Sequence, residues 1–224
     1  MLTDNLLVST LICFIPMIAL YLVVFLLVKG FNWWKGLLCM ASGFICLAPI
    51  AFFQNLFDKF PIISAETTGG ILLSALVLNG LIEELVKTIL LTLTPVPVKS
   101  PFGAFIRGLL TGMSLGCFEV FIYLITGTES QLLRLASIWG IHVCCTILCS
   151  YFVWSIFNKK FYIAPFLFAV VFHGIYSYFA GYYTFMKYFC AAVIAIAALE
   201  CRIRYTIMTQ PVPPLDALDE TKKA

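Results

Sequence analysis

Glu83, Glu84 and Lys87 lie within NGLIEELVKTILLTLT at 79–94, three formal charges in a segment otherwise made of Leu, Ile, Val and Thr. Lys87 follows Glu83 by four residues and Glu84 by three, so on a helix it shares a face with both carboxylates. Asn79 extends that face by one turn. Lys87 favours an ionised carboxylate where burial alone would neutralise it. A third carboxylate, Glu119, closes the run RGLLTGMSLGCFE, and the only two histidines, His142 and His173, sit in equally apolar surroundings. Two imidazoles with a carboxylate form a ligand set suited to zinc, and a further carboxylate is then free to act as a base. Zinc lowers the pKa of its bound water towards about 7, which suits hydrolysis of a peptide bond. No H-E-x-x-H pattern occurs, so such ligands must come from separate helices.

The elements that would carry these groups are membrane spans. The chain has 224 residues, 62% hydrophobic and 11% charged, with a mean hydropathy of +1.02. That composition excludes an ordinary soluble domain. Apolar runs predict an all-α bundle of about seven transmembrane helices at 6–28, 36–57, 70–94, 103–125, 132–156, 162–180 and 183–201, each near the ~20 residues that a bilayer core requires. Residues 1–209 form one helical membrane domain with a catalytic core at about 70–181, and 210–224 read as a flexible cytoplasmic tail. The N-terminus lacks a basic n-region and is read as a retained first helix. Pro16, Pro49 and Pro165 fall within spans and predict kinks. Trp33 and Trp34 suit an interfacial belt.

Lys29, Lys35, Lys99, Arg107, Lys159, Lys160, Arg202, Arg204, Lys222 and Lys223 fall on one side of this arrangement. Only Lys59, Arg134 and Lys187 fall on the other. The positive-inside bias puts the N-terminus outside and the C-terminus in the cytoplasm. No basic, aromatic-interleaved patch points to nucleic acid. The nine cysteines form no C-x-x-C pair and read as small apolar residues, with Cys145 set apart by lying three residues after His142.

An ionisable residue in a span costs roughly 2.5–3.5 kcal/mol on insertion scales, so such residues should face the bundle interior and have partners. Gly108, Gly112 and Gly116 form two overlapping G-x-x-x-G steps that let another helix approach closely. Glu119 lies on the edge of that stripe, aimed into a helix–helix interface. At ~1.5 Å per residue, Glu119, His142 and His173 come roughly 10–17 Å below the outer helix ends, and Glu83 near 20 Å.

The motifs E-E-L-V-K at 83–87, G-M-S-L-G-C-F-E at 112–119, R-L-A-S-I-W-G-I-H at 134–142 and H-G-I-Y at 173–176 together resemble the PrsW family of intramembrane proteases. That family is related to the type II CAAX prenyl proteases and to the APH subunit of γ-secretase. Val120 and Ser177 stand where the family carries Asn and Asp or Asn. The resemblance implies a metal-dependent protease of the bacterial plasma membrane. It would make the first, extracytoplasmic-side cut in a single-pass membrane protein such as an anti-sigma factor, within a stress response. It assigns Glu83 and Glu84 jointly as water-activating carboxylates, Lys87 as their electrostatic partner, and Glu119, His142 and His173 as ligands of a zinc ion. Two other classes also use buried Glu and His residues. One is a proton- or cation-coupled transporter, although no inverted repeat or paired interrupted helices are visible. The other is a non-catalytic membrane scaffold.

Overall fold

The computed structural model describes residues 6–57, 59–60, 67–96, 98–126, 132–182 and 185–210. Among these the chain is all-helical: α1 Leu6–Leu27, α2 Trp33–Phe57, α3 Thr68–Leu93, α4 Pro101–Thr126, α5 Leu132–Phe157, α6 Ala164–Ala180 and α7 Phe189–Thr209. Five of them, α1 to α5, are long and apolar enough to cross a membrane, and α6 is a shorter apolar helix. The protein is a multi-pass integral membrane protein. Residues 211–224, expected to form a flexible tail, lie outside the described residues.

The helix bounds follow the apolar runs closely except at two places. Pro165 sits in the first turn of α6, not in its interior. Its missing N–H costs nothing there, so it starts the helix and does not kink it. The last helix was expected at 183–201 but begins at Phe189, after a short 3₁₀ turn at Phe185–Tyr188, and continues to Thr209. Charge did not end it, because Glu200 pairs with Arg204 one turn on. The Arg204 guanidinium also lies 4.9 Å from the Phe168 ring and 5.3 Å from the Tyr162 ring. Pro16 and Pro49 do lie inside α1 and α2.

The bundle has a centre and a rim. In α5, 78% of the spanning window is buried, against 11% in α1. α5 packs against α4, α6, α7 and the second half of α3, whereas α1 rests on α4 alone among the stronger pairings. Leu, Ile and Phe side chains of α1 and α2, such as Leu26, Phe44 and Phe52, face outward where lipid would lie. Since lipid is as apolar as these side chains, close packing and internal polar bonds must hold the helices together.

Glycine supplies that packing. A Cβ on Gly108 would fall 2.5 Å from the Ile147 Cα, and one on Gly112 would fall 2.6 Å from the His142 carbonyl oxygen. The stripe therefore seats α4 directly on the backbone of α5. Gly112→Val should destabilise the protein by about 1–3 kcal/mol, since backbone cannot yield as a side chain can. Gly69→Ala, where nothing lies within 4 Å, should stay within about 0.5 kcal/mol of wild type. Unfolding in detergent for the two variants checks the contrast.

Candidate active site

α3 is not a uniform helix. Residues Ala75–Ile82 form a π-helical segment, followed by regular α-helix from Glu83 to Leu93. π-Helical turns are rare and occur mostly at functional sites. Here the segment crosses α6 at two glycines. A Cβ on Gly80 would meet the Val170 carbonyl oxygen at 2.6 Å, and one on Gly174 would meet the Leu76 Cα at 2.8 Å. His173 precedes Gly174, so this contact brings its ring against the two glutamates.

Adjacent residues on a helix point about 100° apart, and the two glutamates have different surroundings. Glu84 is fully buried and its oxygens are taken up by protein donors. Lys87 Nζ donates to Oε1 at 2.6 Å, His173 Nδ1 contacts the same oxygen at 2.6 Å, and the Cys149 thiol donates to Oε2 at 3.2 Å. Glu83 instead lines a cavity. Its Oε1 accepts from Gln54 Nε2 at 2.9 Å, and its Oε2 lies 3.8 Å from both Lys87 Nζ and His173 Nε2.

Lys87 is as deeply buried as Glu84 and joins the carboxylates to α5, because its Nζ lies 3.1 Å from His142 Nδ1. The other His142 nitrogen, Nε2, faces Glu119 Oε2 on α4. A carboxylate only accepts, so His173 donates from Nδ1 to Glu84 and keeps a lone pair on Nε2. The two imidazoles meet edge to face with centroids 5.0 Å apart.

The six site residues singled out from the sequence thus form one bonded cluster drawn from α3, α4, α5 and α6. Four of them, Glu83, Glu119, His142 and His173, border a cavity of about 290 Å³, with Gln54, Asn79, Tyr123, Tyr176 and Ser177 also in its wall. One ligand atom each from Glu83, His142 and His173 lies within 4.8 Å of the others, a set able to hold a metal ion. Glu119 is outside that set and beside it, on His142 Nε2. Val120 is not in the cavity wall and packs with Cys13 and Ile138. Cys145 is buried with its thiol 3.5 Å from the Ala169 carbonyl and contacts no site carboxylate directly.

Two contributors were missed by sequence reasoning. Gln54 bridges Asn79 at 3.0 Å and Glu83, yet the amide pair Gln54–Asn55 near the end of α2 reads as interfacial. Cys149, seven residues after His142, is two turns along the same face of α5, and that spacing was the available signal.

The fold and site together define a membrane-embedded protein with a buried cluster of carboxylates and imidazoles able to take a metal. Residues 32–199 match the profile of the PrsW family intramembrane metalloproteases, and the chain belongs to that family. Comparison with curated proteins and with solved structures gives no match.

Proposed function

We propose that this protein is the protease that makes the first, extracytoplasmic-side cut in a single-pass membrane protein of the bacterial plasma membrane, such as an anti-sigma factor, with zinc as its ion. The observation that carries the reading is the convergence of Glu83, His142 and His173 on one cavity with a further carboxylate, Glu119, at its side.

The donor set suits a divalent cation on charge as well as geometry. Glu83, Glu84 and Glu119 against Lys87 leave a formal charge of −2 with both imidazoles neutral, a costly excess in a low-dielectric interior. A divalent ion bound by Glu83, His142 and His173 would cancel it. When bound, zinc supplies a Lewis acid that polarises a peptide carbonyl and makes water a competent nucleophile near neutral pH.

The remaining chemistry belongs to the chain. Glu119 accepts a proton from the attacking water and returns it to the departing amine nitrogen as the C–N bond breaks. In this reading the two cavity-facing carboxylates exchange the roles that the resemblance implied, Glu83 holding the ion and Glu119 acting as base. Glu84 is a positioning residue: it fixes the His173 tautomer so that Nε2 faces the cavity, as carboxylates commonly do for ligating histidines. Gln54 orients Glu83 through Oε1, and Lys87 holds Glu84 and His142 in register.

Full-length protein reconstituted with epitope-tagged single-pass membrane proteins tests the activity. Fragments from one chelator-sensitive cut near the outer face are expected, and cleavage indifferent to chelator would overturn the metal assignment. Glu119→Gln should lower turnover about 10²–10⁴-fold while bound zinc stays stoichiometric. Loss of zinc in that variant would return Glu119 to the ligand set.

A further inference from the structure

Twelve residues before Glu119 on the same helix, about 18 Å away along its axis, Arg107 is buried at 3% exposure with no carboxylate among the described residues to balance it. Its one hydrogen bond among the described residues runs from Nη2 to the Thr94 carbonyl at a long 3.4 Å, and its Nε has no partner. A guanidinium keeps its charge in proteins and presents a planar fork of donors suited to phosphate. This side chain lies in the wall between two pockets, one of about 190 Å³ and one of about 420 Å³.

The smaller pocket is electropositive by construction. Besides Arg107 it is lined by Lys35, by Asn32 and Gly36 at the N-terminal end of α2, and by Phe102 and Gly103 at the N-terminal end of α4. The positive ends of two long helices therefore add to two cationic side chains. Among the described residues no acidic side chain lines either pocket. Apolar walls from Val28, Ile106 and Leu110 complete the smaller one. We infer that this pocket binds a phosphate group, supplied by the headgroup of an anionic glycerophospholipid, at the end of the bundle opposite the hydrolytic cavity. On the positive-inside reading this is the cytoplasmic end, where anionic headgroups gather around basic pockets between helices.

The test uses thermal unfolding of the full-length protein in zwitterionic detergent with added phosphatidylglycerol, phosphatidylcholine or sodium phosphate, ionic strength being matched with chloride. Phosphatidylglycerol is expected to raise the midpoint by roughly 5–10 °C at a hundredfold excess over its dissociation constant. Arg107→Gln should remove most of that shift, and Arg107→Lys should keep part of it. Lys35 is exposed, so Lys35→Gln leaves folding intact and should weaken the shift even if Arg107→Gln does not fold. An equal, Arg107-dependent shift with sodium phosphate alone would support the phosphate site while overturning its assignment to lipid. No shift, or one unchanged in Arg107→Gln and Lys35→Gln, would overturn the site altogether. A merely structural Arg107 lowers the baseline midpoint and leaves the lipid-induced shift intact. None of these outcomes depends on cleavage or on zinc.

Discussion

Glu83→Gln is expected to abolish cleavage, by at least about 10³-fold in turnover, and to release the metal while the helices stay assembled. The substitution keeps shape and volume, and the new amide oxygen still accepts from Gln54, which donates to Glu83 Oε1 at 2.9 Å in the wild type. What disappears is the anionic oxygen that faces Lys87 Nζ and His173 Nε2 at 3.8 Å. That atom supplies the anionic member of the Glu83–His142–His173 set, and two neutral imidazoles alone hold zinc weakly. Removing one negative charge also lessens the excess in the cluster, so the cost in stability should stay within about 1 kcal/mol. Metal analysis, a cleavage assay and unfolding on one preparation separate these effects. A variant that retained stoichiometric zinc would return Glu83 to the water-activating role that the resemblance gives it jointly with Glu84.

Lys87→Met should have the largest effect on stability, about 3–5 kcal/mol, because it leaves buried carboxylates without their counter-charge. Lys87 is fully buried and bonds Glu84 at 2.6 Å and His142 at 3.1 Å. Methionine fills similar volume, so the loss would reflect charge and hydrogen bonding more than a cavity. The double variant Lys87→Met/Glu84→Gln should recover more than half of the loss, since removing both members of a buried pair costs far less than removing one. Single and double variants compared in one unfolding series measure the coupling. A Lys87→Met protein as stable as wild type would mean that the ammonium does not hold the cluster together.

The site was largely legible because ionisable residues are so costly in a span that each one kept there carries information. Glu83, Glu84, Lys87, Glu119, His142 and His173 stand out on that ground alone, and the structure gathers all six. Their division of labour was not legible. Glu83 and Glu84 are the same residue type one position apart, and only the seating of α3 on α6 turns one to the cavity and buries the other. The π-helical segment before them leaves no mark in a stretch that is apolar apart from Asn79, where 3.6 and 4.4 residues per turn bury equally well. Pro165 was read as a kink because apolarity continues upstream of it to Phe161, past the true start of α6. At the end of α7 the opposite held: a charged turn read as the end of a span persists as helix because Glu200 and Arg204 satisfy each other.

The saturation of Glu84 also bears on the order in which the protein can be assembled. Lys87 is three residues away and available as soon as α3 is made, whereas the His173 partner lies 89 residues downstream. At the usual pace of synthesis that is a delay of about 4–18 s. During that interval α3 must partition into lipid with only its own Lys87 contacts and the earlier Gln54 to offset the burial of charge. The local Glu84–Lys87 bond is therefore the insertion permit of this helix, and the imidazoles that later complete the hydrolytic site inherit a carboxylate already held in place.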